Sequence, residues 1–242
     1  MLICGYDPYF IMKLSMSSGK TFIRTHPKIS WFLLTVHNIL FGRNGFLLFK
    51  RPLLSPLGGG LFLLNRVRIH VSGINNKIII GDYCFLKSCN FSISGNNNII
   101  EIKDGVFLND VTFVTENDNN RIVIGESTSI HGKTELAAIE STNITIGEDC
   151  MFSSQIYFRT GDSHSIIDDE GRRINPSESI SVGNHVWIGQ QVAVLKGSNI
   201  PSNSIVGYKS LVTKKHFLEN TIYAGIPTRE IKTNVNWLRE RI

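Results

Sequence analysis

Residues Ile180 to Lys214 read ISVGNHVWIGQQVAVLKGSNIPSNSIVGYKSLVTK and contain a regular repeat. An aliphatic residue returns at every sixth position, as Val182, Ile188, Val194, Ile200, Val206 and Val212. This period matches neither an amphipathic helix, at about 3.6 residues, nor a single strand, at about 2. It equals three strand periods and is typical of short strands joined by corners and stacked as a solenoid. We therefore predict a mainly β chain built as a parallel β-helix.

An upstream repeat has a longer unit. The pattern Ile-x-Ile begins at Ile78, Ile100, Ile122 and Ile144, at intervals of 22 residues. An acidic residue follows each pattern at the same phase, as Asp82, Asp104, Glu126 and Glu148. Asn-rich turns fill the intervals, and Asn tolerates the left-handed backbone that tight corners require. We interpret each unit as a coil of three hexapeptides enlarged by a polar turn of four residues.

The segments outside the repeats define the domain organisation. Residues 1–65 carry no repeat and are predicted to be a helical or irregular lead-in, followed by the β-helix over residues 66–218. Residues 160–179 (TGDSHSIIDDEGRRINPSES) break the aliphatic phase and are predicted to form a polar loop outside the solenoid. Residues 219–242 are predicted to form a tail with an amphipathic helix that covers the last coil. Apolar residues there recur at helical spacing, as Ile231, Val235, Leu238 and Ile242.

Composition and charge narrow the class of protein. The chain has 242 residues, of which 42% are hydrophobic and 19% charged. Its formal charge is +5, but no run of Lys and Arg is dense enough to predict nucleic-acid binding. Four scattered cysteines, Cys4, Cys84, Cys89 and Cys150, form neither a zinc motif nor a disulfide framework, so we expect a reducing, cytoplasmic setting. The apolar stretch 31–49 is interrupted by polar residues, which favours a packed N-terminal helix over a membrane span. Peripheral membrane contact by this stretch stays an alternative.

Three motifs carry a resemblance to a known family. VGNHVWIG (182–189), SLVTK (210–214) and AGIPTREIK (224–232) resemble the hexapeptide-repeat acyltransferases. The 22-residue units and the loop before VGNHVWIG look more like the polysaccharide and sugar O-acetyltransferase branch. The resemblance implies a left-handed β-helix, a homotrimer with active sites between subunits, and acetyl-CoA as the acetyl donor. It implies no metal, because the chain lacks the close histidine pair of the metal-dependent branch.

The resemblance also points to catalytic residues. Acetyl transfer to a hydroxyl needs a base for the proton and a donor for the developing oxyanion. His164 lies in the 160–179 loop, at the kind of position that the family gives its catalytic histidine. Asp162 is the leading residue to orient the imidazole, with Asp168 and Asp169 as alternatives. Trp187 is interpreted either as packing at a coil corner or as a wall of the site whose indole N–H binds the oxyanion.

The family binds coenzyme A in a groove between the coils of neighbouring subunits. By motif matching, the residues along this groove are Gly189, Gln190, Tyr208, Lys209, Thr213, Lys214, Arg229 and Lys232. Gly189 and Gln190 would border the pantetheine arm. Arg229 and Lys232 suit the phosphates of the cofactor, because cationic side chains bind phosphate oxygens strongly.

The leading hypothesis is an acetyl-CoA-dependent O-acetyltransferase that acts on a sugar hydroxyl of a capsular polysaccharide, a lipopolysaccharide or a precursor. Two alternatives belong to other classes: an N-acetyltransferase of an amino sugar, and a non-catalytic solenoid that binds a ligand. The basic charge is compatible with an acidic glycan as the acceptor.

Overall fold

The computed structural model describes residues 47–49, 63–213, 216 and 218–242. The strands of this part of the chain lie in three sheets, which we number as faces 1 to 3 of a triangular solenoid. No helix occurs among the described residues, so this part contains no helix able to cross a membrane.

Each coil contributes one strand to each face in turn. Face 1 contains β1 (Leu47–Phe49), β4 (Lys77–Ile80), β7 (Ile99–Ile102), β10 (Arg121–Ile124), β13 (Asn143–Ile146), β16 (Ile180–Val182) and β19 (Asn199–Ile200). Face 2 contains β2 (Leu63–Asn65), β5 (Phe85–Lys87), β8 (Phe107–Asn109), β11 (Ser129–Ile130), β14 (Met151–Phe152), β17 (Trp187–Ile188), β20 (Ile205–Val206), β22 (Ile222–Gly225) and β23 (Thr228–Lys232). Face 3 contains β3 (Arg68–Ser72), β6 (Asn90–Ser94), β9 (Val111–Glu116), β12 (Thr134–Ile139), β15 (Tyr157–Arg159), β18 (Ala193–Leu195) and β21 (Leu211–Val212).

The strand register confirms the predicted solenoid. Ile100 pairs in parallel with Ile78 on one side and with Ile122 on the other, which is the 22-residue interval of the sequence. Val182 pairs with Ile200, at the shorter interval of 18 residues. All six aliphatic residues of the hexad series point into the core and are at most 3% exposed. The six-residue period therefore arises because the chain moves to the next face every six residues and turns one member of the series inward on each.

The Asn-rich turns form a ladder of side chains along one corner. Asn98 Oδ1 accepts a hydrogen bond from Asn120 N at 2.9 Å, and Asn120 Oδ1 accepts one from Thr142 N at 3.1 Å. Each side chain thus satisfies a buried backbone N–H of the next coil, which would be costly to leave unpaired. The repeated polar turn therefore has a structural role.

Two helix predictions are corrected. The C-terminal helix is wrong: Thr228–Lys232 is strand β23, which runs antiparallel to β22, and the following residues are irregular. Three of the four residues at helical spacing are exposed, including Ile231 at 63% and Leu238 at 57%, so they form no buried stripe. At the N-terminal side, Leu47–Phe49 is strand β1, paired with β4, where the apolar stretch predicted a helix. The rest of that stretch lies outside the described residues.

The three described cysteines are free thiols buried in the core. Burial raises the pKa of the Cys84 and Cys89 thiols to about 12 and that of Cys150 to about 11. These thiols therefore remain protonated near neutral pH and are poor nucleophiles.

Candidate active site

The 160–179 loop leaves face 3 after β15 and returns to face 1 at β16. Its ends are tied together because Glu178 N donates to Thr160 O at 2.8 Å. Its middle folds back on itself, with Ile174 N donating to Ile166 O at 2.8 Å. Gly161 allows the close approach of the two limbs, since a Cβ there would lie 2.0 Å from Ser177 Oγ. The loop is therefore a defined hairpin held against the solenoid.

Neighbouring coils anchor this hairpin on two sides. Lys196 follows β18, and its Nζ lies 2.5 Å from Asp162 Oδ2. Glu140 follows β12 and binds both Arg173, at 2.9 Å, and Ser177 Oγ, at 2.7 Å. Hydrogen bonds from Lys196 and Asn175 lower the pKa of Asp162, and those from Arg173 and Ser177 lower the pKa of Glu140. Both carboxylates are thus held in the ionised form by the contacts that fasten the loop.

His164 is exposed on the first limb of the hairpin, and its main-chain oxygen accepts a hydrogen bond from Asn175 Nδ2 at 2.8 Å. Asp162 does not bond the imidazole within the chain; its carboxylate binds Lys196 and Asn175 instead. Asp168 accepts hydrogen bonds from the amides of Glu170 and Arg172 in the hairpin turn. The structure therefore gives Asp162 and Asp168 loop-forming contacts, whereas the sequence suggested either as a partner of the histidine.

Trp187 lies on face 2, with its side chain 39% exposed. The His164 hairpin projects from the corner between faces 3 and 1, so one chain displays the two predicted catalytic side chains on different parts of its surface. The indole ring of Trp187 lies 6.4 Å from that of Trp237, between centroids.

Four of the predicted cofactor residues stack at one corner. Gly189 and Gln190 follow β17, and Tyr208 and Lys209 lie at the same corner one coil later. Lys209 N donates to Gln190 O at 3.0 Å, and a Cβ on Gly189 would lie 2.9 Å from Tyr208 N. The exposed Lys209 ammonium lies 5.4 Å from the centre of the Tyr208 ring. This corner can offer a close backbone surface to a thin substrate arm and a cation beside it.

The other predicted cofactor residues are more dispersed. Arg229 and Lys232 are exposed on β23, which extends face 2 through β22 next to β20, the strand that leads to Tyr208. Thr213 follows β21, at the corner between faces 3 and 1, and is not part of that stack. Lys214 lies outside the described residues.

The irregular C-terminal residues 233–242, the C-terminal strap, form a second cluster that the sequence did not predict. Trp237 is 5% exposed, stacks on the His185 ring at 4.1 Å between centroids, and donates its Nε1–H to His185 O at 2.9 Å. Asp149 Oδ2 lies 2.7 Å from His185 Nδ1, and Asp149 Oδ1 lies 2.9 Å from Arg239 Nη2. His185 lies at a coil corner, and its ring is covered by Trp237 of the strap.

Asn175 and Lys196 are further residues that sequence reasoning missed. Asn175 lies in a polar loop and Lys196 at the end of a hexad, where neither stands out from ordinary surface residues. No group of three or more His, Cys, Asp or Glu side chains in the described ranges is arranged to hold a metal ion.

Comparisons with known proteins fit this arrangement, although no protein-family model matches the chain. A curated relative, the polysialic acid O-acetyltransferase of Escherichia coli O1:K1 / APEC, is 32% identical over 92 residues, or 38% of this chain. The matched region spans 30% of that relative's length. The solved polysialic acid O-acetyltransferase OatWY is 30% identical with a TM-score of 0.66, covering 75% of this chain and 92% of that one. The polySia specific acetyltransferase NeuO is also 30% identical, with a TM-score of 0.62, covering 72% and 90%.

The two structural matches extend over most of the solenoid and nearly the whole of each relative. They agree with the left-handed parallel β-helix. The chain therefore belongs to the hexapeptide-repeat acyltransferase superfamily, in its polysaccharide and sugar O-acetyltransferase branch.

Proposed function

We propose that the chain is an acetyl-CoA-dependent O-acetyltransferase that acts on a sugar hydroxyl of a surface polysaccharide or its precursor. The observation that carries this proposal is the hairpin that interrupts the solenoid and holds His164 exposed through bonds to neighbouring coils. Loops positioned by a rigid scaffold are where catalytic groups concentrate. The family membership supplies the reaction class, and the names of the relatives point to an acidic glycan such as polysialic acid.

The proposed reaction assigns each step to a group of this chain. The His164 imidazole takes the proton of the acceptor hydroxyl while its oxygen attacks the thioester carbonyl carbon. The carbonyl oxygen becomes an oxyanion, which the Trp187 indole N–H stabilises. The carbon–sulfur bond then breaks, and the imidazolium returns its proton to the departing coenzyme A thiolate. The products are the sugar acetyl ester and free coenzyme A.

The proposed assembly is a homotrimer, with each site formed between two copies. Its support is the separation of His164 and Trp187 on one chain and the superfamily to which the chain belongs. Coenzyme A would lie along the stacked corner of Gly189, Gln190, Tyr208 and Lys209. The proposed location is cytoplasmic, where acetyl-CoA is available and the unpaired core thiols stay reduced.

A transfer assay with a panel of acceptors tests the function. The full-length protein is incubated with acetyl-CoA and, in turn, polysialic acid, a neutral glycan and an amino sugar, and coenzyme A release and product acetylation are measured. Ester formation on a glycan supports the proposal. Amide formation on the amino sugar identifies an N-acetyltransferase. No transfer, together with no coenzyme A binding by calorimetry, identifies a non-catalytic solenoid.

Arg229→Ala should raise the KM for acetyl-CoA about tenfold or more and change kcat little. A hydrogen bond to a charged group contributes about 1.5–3 kcal/mol, and a contact to the phosphates acts equally in the ground and transition states. Arg68→Ala is the matched control, because Arg68 is also an exposed arginine on a strand but lies at the opposite end of the solenoid. An unchanged KM in Arg229→Ala would remove this residue from the cofactor groove.

A further inference from the structure

Asn175 is the buried centre of an otherwise exposed hairpin, with 7% of its surface exposed. Its Nδ2 donates to Asp162 Oδ2 and to His164 O, both at 2.8 Å. Its Oδ1 accepts from Ile166 N at 2.7 Å and from Arg173 Nε at 3.2 Å. Both donor hydrogens and both acceptor sites of the carboxamide are therefore used. The side chain cross-links the limb that carries His164 to the returning limb.

Lys196 connects this cross-link to the solenoid. Its ammonium binds Asp162 Oδ2 at 2.5 Å and Asn175 O at 3.3 Å, and its side chain is only 24% exposed. The Asp162 side chain is 44% exposed, so solvent screens the ion pair in part, and its main effect is to fix the positions of the two side chains. Lys196 follows strand β18. The main chain at His164 is therefore held in place relative to the rigid coil through two side chains, those of Lys196 and Asn175.

We propose, as an extension of the function proposed above, that Asn175 and Lys196 are positioning residues for His164. In this arrangement Asp162 links the ammonium of Lys196 to the carboxamide of Asn175 and does not act on the imidazole. The two residues fix the main chain of His164, and the imidazole reaches the acceptor hydroxyl from that fixed point. A misplacement of about 1 Å in a reacting group can lower a rate by about 100-fold.

A double-mutant cycle tests the link between Lys196 and Asp162. Lys196→Met and Asp162→Asn should each lower kcat by about 10- to 100-fold, with the KM for acetyl-CoA nearly unchanged. The kcat of the double variant should be no lower than that of the more impaired single variant, because both changes break the same contact. Lys196→Arg should restore most of kcat, since it keeps the charge. Additive losses in the double variant would overturn the proposal.

Asn175→Asp provides a pH readout that a purely structural residue would not give. The new side chain has the same shape but, when ionised, cannot donate to Asp162 or to the His164 carbonyl. Protonation of one of the two carboxyls restores a donor, so the ratio of variant to wild-type kcat should rise as pH falls from about 8 to about 5.5. A ratio that does not depend on pH would contradict the donor role of Asn175.

Hydrogen exchange separates this proposal from the proposed function. Lys196→Met should speed exchange of the Ile166 amide, which is bonded to Asn175 Oδ1. Arg121→Met is the matched control, because it breaks a 2.6 Å ion pair with Glu101 on face 1. If the wild type transfers acetyl to no acceptor, the proposed function fails, and faster exchange at Ile166 still supports the anchoring. Equal exchange of the Ile166 amide in Lys196→Met and wild type would overturn the proposed anchoring, whatever the activity.

Discussion

Replacement of His164 by alanine is expected to lower kcat for acetyl transfer by about 10²–10⁴-fold, the usual contribution of a general base. The thiol leaving group departs with little catalytic assistance, but the sugar hydroxyl is a weak nucleophile until its proton is removed. The fold should be unaffected, because the side chain of His164 is exposed and the hairpin is held through its main chain. Steady-state kinetics with acetyl-CoA and the best acceptor of the panel measures the loss.

His70 supplies the matched control for this prediction. It is an exposed histidine on β3, in the first coils of the solenoid, and takes no part in the proposed site. His70→Ala should keep the wild-type kcat. The thermal unfolding curves of both variants should overlay that of the wild type. Wild-type turnover in His164→Ala would reject the catalytic assignment.

Mixing two inactive variants tests whether His164 and Trp187 act from different copies. Trp187→Ala is expected to lower kcat by about 10²–10³-fold if its N–H is the oxyanion donor. Co-refolded His164→Ala and Trp187→Ala chains would contain some interfaces where both residues are intact, so activity should reappear. Mixed assemblies as inactive as either parent would contradict a site shared between subunits.

The regular part of the fold could be predicted from the sequence because it follows from a repeat within short segments of the chain. Each inward side chain is set by the phase of its own strand, so the buried series from Val182 to Val212 and the 22-residue register were both visible in the sequence. The break in that phase also located the 160–179 hairpin. The family resemblance then added the left-handed winding of the coils, which the period alone does not specify.

The contacts inside the candidate site could not be predicted, because they join residues far apart without periodicity. Asn175 binds Asp162 across 13 residues, and Lys196 binds Asp162 across 34. The sequence suggested that Asp162 serves the imidazole, as in a catalytic triad, since it lies only two positions away. In the structure, Lys196 from the next coil binds this carboxylate. The stacking of coils therefore creates contacts to Asp162 that its position in the sequence does not reveal.

The C-terminal tail was mispredicted for a related reason. Its helical spacing of apolar residues is real, but the edge of β20 offers unpaired backbone groups with which β22 pairs, and β23 then pairs with β22. The C-terminal strap then runs along one corner over several stacked coils, from the last coil back to β11. Val235 N donates to Asn220 O at 2.9 Å, Trp237 covers His185, and Arg239 Nη1 reaches Ser129 Oγ at 3.0 Å. Hydrogen bonds and one buried indole thus take the place of an apolar helix face.

Trp237→Ala should release this strap from the solenoid. Truncation of a buried Trp removes about 3–5 kcal/mol, and here it also removes the ring stacking on His185 and the bond to its carbonyl. Repeat coils are stabilised mainly by their neighbours, so the loss should be confined to the strap and the solenoid should stay folded. Exchange of the Val235 amide, measured by hydrogen–deuterium exchange, should accelerate by more than 100-fold, the equivalent of about 2.7 kcal/mol. Leu238→Ala, the exposed neighbour at 57%, should leave that amide protected. Because Trp187 packs near Trp237 and is the proposed oxyanion donor, the released variant should also show a lower kcat. A protected Val235 amide in Trp237→Ala would contradict the role of the indole in holding the strap.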